Sequence, residues 1–214
     1  MKKNKRTLII TASVIIMVLV MSACGTSYSL ESSHEVDGRQ GIAWKDGRYY
    51  VSGSTTLSVY DSGWNRIKTE TEPFVNFEAE VNHIGDIDVY KGEIYAGVEY
   101  FMDGVGTNIQ MAVYDADTLA LKRTYMFEPD SGQMEVSGIA VDPDLDEFSV
   151  LPEKTLDDVT RQGEIEGISF DKDQKQMLIS YNRGAIIVKG MPTGFYDGYD
   201  KEIHEIFVYW CPQQ

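Results

Sequence analysis

From residue 39 onward, apolar and polar positions alternate in short runs separated by turns rich in Gly, Asp and Lys. A period of two with many β-branched and aromatic residues predicts strands. Four segments align on one motif: GIAWKDGRYYVSG from Gly41, DIDVYKGEIYAG from Asp86, GIAVDPDLD from Gly138 and GISFDKDQKQMLIS from Gly167. Each has an isoleucine followed two positions later by Trp, Val or Phe: Ile42/Trp44, Ile87/Val89, Ile139/Val141 and Ile168/Phe170. In three of them a tight turn leads into a second strand, RYYVSG, EIYAGV or QMLISY. The first two repeats continue. LSVYDSGWNRIKTE aligns with MAVYDADTLALKRTY, so that Val59-Tyr60-Asp61 falls on Val113-Tyr114-Asp115. No long helical period appears after Cys24.

Four antiparallel strands in about 45 residues, repeated along a chain, is the pattern of a β-propeller blade. The anchor isoleucines are spaced 45, 52 and 29 residues apart. The last interval is too short for four strands and their turns. The stretch VSGIAVDPDLDEFSVLPEKTL, Val136 to Leu156, explains the shortfall. It begins as a blade's first strand and turn, and ends as a last strand leading into the next repeat. The simplest account is an internal piece missing at about Asp146/Glu147; a divergent third repeat is the alternative. The expected fold class is therefore all-β, a propeller of four-stranded antiparallel blades, incomplete or internally truncated near 146–147. Strands are expected within 41–60, 86–126 and 167–210, with irregular backbone over 146–163. In the last repeat AIIVKG suits a third strand and EIHEIFVYW a closing one. Blades flanking the short repeat would lose cover for part of their apolar faces, which favours association.

The N-terminus carries different chemistry. Lys2, Lys3, Lys5 and Arg6 precede an apolar run from Leu8 to Met21, which is too short to span a bilayer comfortably and suits a signal peptide. Met21-Ser22-Ala23-Cys24 then resembles a bacterial lipobox, although Met21 stands where Leu is usual. That resemblance implies cleavage after Ala23, lipid on the Cys24 sulfur and acylation of the new N-terminus. Residues 1–23 are thus expected to be a lipoprotein signal peptide, and 24–38 (polar and Ser-rich after Cys24) a flexible tether. Residues 39–214 would form the propeller domain. The location implied is the extracytoplasmic face of a cell membrane, with the lipid anchor as the membrane contact. Cys211 then has no intrachain partner, and reads as a small apolar residue at a strand end.

Removing the four basic charges of residues 1–23 leaves 15 Lys+Arg against 34 Asp+Glu, a net of −19. So acidic a body is a poor partner for nucleic acid, whose phosphates need a basic footprint, and anionic headgroups repel it.

With these blades in place, residues 39–212 are similar to the bacterial secreted and lipid-anchored propellers of the YVTN and quinoprotein-amine-dehydrogenase-like kind. That resemblance rests on the blade pattern, and the group spans sensors, binding modules and some hydrolases, so it implies a fold and not an activity. In propellers the first strand of each blade lines a central channel. The candidate ligand-binding residues are those around the anchor isoleucines: Arg39, Gln40, His83, Asp86, Glu135, Ser137, Glu164 and Glu166. The alternative is that they solvate a wet channel mouth. Glu166-Gly167 resembles the Glu-Gly pair of regucalcin-type lactonases, which makes Glu166 the candidate metal ligand. Asp142, Asp144 and Asp146 suit either a hard cation or ordinary turn chemistry. Asp61 and Asp115, recurring after tyrosine at one blade position, read as turn-forming. His204, between Glu202 and Glu205, reads as a surface residue.

No GxSxG, HExxH, CxxC or Walker motif is present. A non-enzymatic module binding an extracellular ligand, protein or glycan, without a cofactor, is the first functional expectation. A metal-dependent hydrolase using a divalent cation at Glu166 is the second.

Overall fold

The computed structural model describes residues 29–127, 136–142, 147–152, 163–170, 176–188 and 191–210. All regular elements in them are strands. The first repeat is a sheet of β2 (Gly41–Lys45), β3 (Arg48–Gly53), β4 (Thr56–Asp61) and β5 (Arg66–Glu70), paired in that order. The second is β6 (His83–Tyr90), β7 (Glu93–Met102), β8 (Val105–Asp115) and β9 (Leu121–Met126). Both are antiparallel meanders, as the aligned segments predict. Their turns follow local chemistry. The Asp61 carboxylate accepts the amides of Gly63 and Asn65 at 2.9 and 2.8 Å. The Asp115 carboxylate accepts those of Asp117 and Thr118 at 3.1 and 2.8 Å. These Asx-type bonds confirm both residues as turn-formers. Asp46 and Lys91, each followed by Gly, take positive φ in the tight hairpins β2–β3 and β6–β7.

The third and fourth repeats depart from expectation. β10 (Val136–Asp142) pairs with β11 (Glu147–Pro152), from Asp142↔Glu147 back to Val136↔Pro152. Part of the segment expected to be irregular is therefore a second strand, because the backbone from Glu147 runs back along β10. Among the described residues this sheet stops at two strands. The last repeat contains β12 (Gly163–Phe170), β13 (Gln176–Arg183) and β16 (Ile203–Trp210) in one sheet. AIIVKG is not its third strand: β14 (Ala185–Val188) folds onto β15 (Met191–Phe195) as a separate hairpin, and β16 takes the place beside β13.

The fourth strand of that sheet comes from the other end of the chain. β1 (Ser29–Glu35) pairs antiparallel with β16, from Ser29↔Trp210 to Glu35↔Glu205. Part of the expected tether is therefore a structural strand. SLESSHE lacks an apolar stripe, which hid it in the sequence. Its pairing supplies backbone partners to β16 without requiring burial, and its residues remain exposed or half-buried.

Sheets pack face to face. Ala43, Tyr50, Leu57 and Val59 of the first sheet meet Ile87, Ile94, Ala96 and Tyr114 of the second. The opposite face of the first sheet, with Ile42, Tyr49, Val51 and Tyr60, meets Val36, Leu178, Ile206 and Val208. Trp64 closes this layer by stacking on Tyr49 and His34, with centroids 3.9 and 4.5 Å apart. Each fully buried aliphatic side chain contributes about 1.5–3 kcal/mol. The second sheet's other face, Met111 and Val113, takes Ile139 of β10.

Removing residues 29–35 is expected to lower the unfolding midpoint and promote self-association, because β16 becomes a free edge. Thermal unfolding with light scattering checks this; an unchanged midpoint and a monomeric product would show that β1 contributes nothing.

Candidate functional site

The inner strands run side by side in the same direction. The amide of Ile139 donates to Asp86 Oδ2 at 3.4 Å, and two residues on, that of Val141 donates to Asp88 Oδ2 at 2.7 Å. β2 packs against β6 and β12, and β6 against β10. Each inner strand carries a bulge at one repeat position. The register shifts between Ile84 and Ile87, between Val136 and Gly138, and between Ile165 and Gly167. In β2 the amide of Gln40 donates to Ser52 O at 2.9 Å although Ser52 is already paired with Gly41. Bulges bend strands and redirect side chains at such positions. Gln40, Ser137 and Glu166, three of the predicted site residues, stand at these bulges.

Asp86 lies next to the bulge of β6 and is buried. Repeat alignment places Gly41, Gly138 and Gly167 at its equivalent positions. A Cβ on Gly41 would collide with Asp86 Oδ1, and one on Gly167 would lie 2.9 Å from the same atom. The missing side chains of these glycines thus make the space that one carboxyl fills. Burial is the largest effect on Asp86 and pushes its pKa well up, opposed by the amides of Ile87, Ile139 and Ile42. Oδ1 makes no hydrogen bond of normal geometry. Asp86 is accordingly a buried group joining strands and not a residue of an open mouth.

His83, at the start of β6, belongs to a separate network. Its Nδ1 is 2.9 Å from Glu99 Oε1 and its Nε2 is 3.1 Å from Gln40 Nε2, which also donates to Ser54 Oγ at 3.1 Å. These contacts assign one tautomer: Nδ1–H donates to Glu99, and Nε2 accepts from Gln40. Phe101 flanks the imidazole at 5.5 Å. The Glu99 side chain is 1% exposed, and its Oε2 has no hydrogen-bond partner among the described residues. Glu99 was not visible in the sequence as a site residue, since it lies in the second strand of its repeat; its register pairing with His83 is what brings them together.

Arg39 faces another way. It pairs with Glu202, both partly buried, and this ion pair joins the start of the first sheet to the last. Beside it opens a cleft of about 720 Å³ lined by Asp37, Arg39, Ser54, Arg66, Glu202 and His204, among others. Thr56 and Thr69 add hydroxyl groups to its wall, whereas the ammonium of Lys68, which also borders it, donates to the Thr118 and Asp117 carbonyls of the second sheet at 2.6 and 3.3 Å. Arg66 pairs with Asp37 at the rim. His204, expected at the surface, is a half-buried residue of this wall with Nε2 3.4 Å from Glu202. Ser54 is shared by the cleft and the His83 network, so the two adjoin. Both lie at the end of the sheets where the inner strands begin.

The remaining candidates are dispersed. Glu166 is half-buried at the β12 bulge. Ser137 and Glu164 occupy strand positions in β10 and β12, Glu164 opposite Asn182. Glu135 lies outside the described residues, as do Asp144, Asp146 and Cys24. Among the described residues no three His, Cys, Asp or Glu side chains gather as metal ligands would.

No family model matches the chain, and no curated protein matches it. Among solved structures it is similar to a europium-containing methanol dehydrogenase, at 14% identity and a TM-score of 0.32, over 68% of this chain. The match covers 26% of that protein's chain.

Because the folded pKa of Asp86 is raised, the native state holds a proton that the unfolded chain releases near pH 4. Its contribution to stability is therefore complete below about pH 4 and declines as pH rises towards the folded pKa. Asp86→Asn removes this titration. Relative to the wild type, its stability should improve as pH rises from about 4 towards the folded pKa of Asp86. Urea unfolding of both proteins across that range checks this, and a constant difference would contradict it.

Proposed function

We propose that this chain is a lipid-anchored, extracytoplasmic binding module of the propeller kind, and that the cleft beside Arg39 holds a hydroxyl-rich ligand such as a glycan segment. The cleft is the observation that carries this reading. Its volume of about 720 Å³ is that of a small-molecule site. Its wall mixes guanidinium donors with threonine hydroxyls and carboxylate acceptors, and vicinal hydroxyls need both kinds at once. The ion pairs Arg39–Glu202 and Arg66–Asp37 hold these groups in place before any ligand arrives. Preorganised polar groups cost less to order on binding.

Ring closure is part of the proposal. β12, β2, β6 and β10 follow one another side by side, and β10 also touches β12, as four blades around one axis would. The lipid anchor rests on the resemblance of Met21–Cys24 to a lipobox and on the apolar run before it. The His83–Glu99 pair is read as structural. Both imidazole nitrogens are engaged, which leaves neither free to take a proton from a substrate.

Arg66 is the residue to test, because it lines the cleft and its side chain is about half exposed. Saturation-transfer NMR of the purified protein with a panel of neutral oligosaccharides should find binders. Arg66→Ala should weaken that binding roughly tenfold or more, as loss of a charged hydrogen-bond donor does. Binding unaffected by Arg66→Ala would place the ligand elsewhere.

A further inference from the structure

The sheet made by β12, β13, β16 and β1 is buried on one face only. Leu178, Ile206 and Val208 point into the layer shared with the first sheet. The opposite face is apolar too. Leu30, Tyr209, Met177 and Phe170 are register partners across all four strands and form one transverse row. Phe207, Ile179 and Ile168 continue in a parallel row, with Ser33 at its end. Paired residues share a face, so these rows make one surface, and neither contains a charged side chain. Leu30 is 54% exposed, Ile168 53% and Phe170 45%. A complete third blade would cover such a face, but among the described residues the third sheet has two strands. In a chain with a formal charge of −15, an uncharged surface built this way calls for a specific occupant.

The start of β1 says which. Leu30 of the first row is the second residue of β1, and five steps of chain separate Ser29 from Cys24. Fully extended, five residues reach only about 18 Å. If Cys24 carries acyl chains in a bilayer, this row is held within that distance of the lipid. The antiparallel register places Tyr209 opposite Leu30 at this end, while Trp210 beside it lies on the sheet's other face with Val208. Tyr, Phe and Leu without charge are side chains that settle at a membrane interface.

We infer that the open face of this sheet, centred on the row Leu30–Tyr209–Met177–Phe170, rests on the bilayer that carries the Cys24 lipid. The inference relies on the lipid-anchor reading above. Contact is apolar, so it works against a body whose charge repels anionic headgroups. It also sets the orientation of the domain. His204 shares the face of Ile206 and Val208, opposite the open row, and the cleft it lines lies between the last sheet and the first. The cleft is therefore carried away from the lipid.

The test uses full-length lipidated protein in neutral phosphatidylcholine vesicles, some made with acyl-chain-brominated lipid. Phe170→Trp places an added indole in the row, and Tyr125→Trp places one on β9 of the second sheet as a control. Bromolipid should reduce the emission of the indole at position 170 by roughly half, with little effect at position 125. The same protein with Cys24→Ser should stay in the vesicle-free fraction. If the wild type floats, Cys24→Ser does not, and positions 170 and 125 are quenched alike, the anchor stands and the contact inference falls. If Cys24→Ser floats like the wild type, the anchor reading itself falls, and the contact inference with it. If position 170 is unquenched and Leu30→Glu converts a detergent-solubilised dimer into a monomer, a second copy occupies the face and the inference is overturned.

Discussion

A buried carboxyl where the inner strands converge is the constraint on which the arrangement depends. Asp86 comes from β6, accepts the amide of Ile139 in β10, and presses against Gly41 of β2 and Gly167 of β12. Burying such a group costs several kcal/mol unless it is neutralised or hydrogen-bonded. Here the cost is met by backbone amides and a raised pKa. The penalty has a structural consequence: Asp86 is tolerable only while neighbouring inner strands stay in place around it. Its glycine neighbours have no freedom to grow either. Gly85 and Gly97 extend this close approach, since a Cβ on either would collide with Val136 of β10. The glycines thus let the strands approach closely, with the Asp86 carboxyl and the Val136 side chain between them.

That tight centre displaces function to the ends of the strands. The bulge beside each inner-strand glycine position turns the preceding residue, and Gln40 from one such bulge joins His83, Glu99 and Ser54 in a network that bridges the first two sheets. Ser54 O also accepts the amide of Ile84 at 2.9 Å, which fixes the same seam through backbone. The cleft lies at the next seam, between the first and last sheets, and is braced by Arg39–Glu202. Both seams hold polar groups that packing alone would leave unpaired. The second sheet is tied to the third by Asp86 and Asp88, but between the third sheet and the last the apolar face of the last sheet stays open among the described residues.

How much of this could be read from the sequence depended on range. Alternation, tight turns and the Tyr-Asp repeats are local, and they located the first two sheets and the inner strands of the others. The shortened third repeat was visible as a 29-residue interval, and its two-stranded sheet follows from it. Asp86 was also visible, as an aspartate where three aligned repeats have glycine, but the pattern suggested a channel-mouth ligand and not a buried link. What decided its role was the volume left by the absent side chains of Gly41 and Gly167, which one strand's sequence does not display. β1 escaped because its pairing with β16 spans the whole chain and buries little. Glu99, Arg66 and Glu202 escaped for a related reason: Arg39 and Glu202 are 163 residues apart, and only the packing of the first sheet against the last brings them together.

The central claim is that Asp86 and the glycines of neighbouring inner strands form one fitted unit. A double-mutant cycle between Asp86→Ser and Gly167→Ala, measured by urea unfolding at fixed pH, addresses it directly. Alone, Gly167→Ala should cost about 1–3 kcal/mol, because its Cβ meets Asp86 Oδ1 and Ser180 Oγ. In the Asp86→Ser background that cost should fall by roughly 1 kcal/mol, since residues in contact couple by that order. Equal costs in the two backgrounds would show that the carboxyl and the glycine act independently, and would contradict the account.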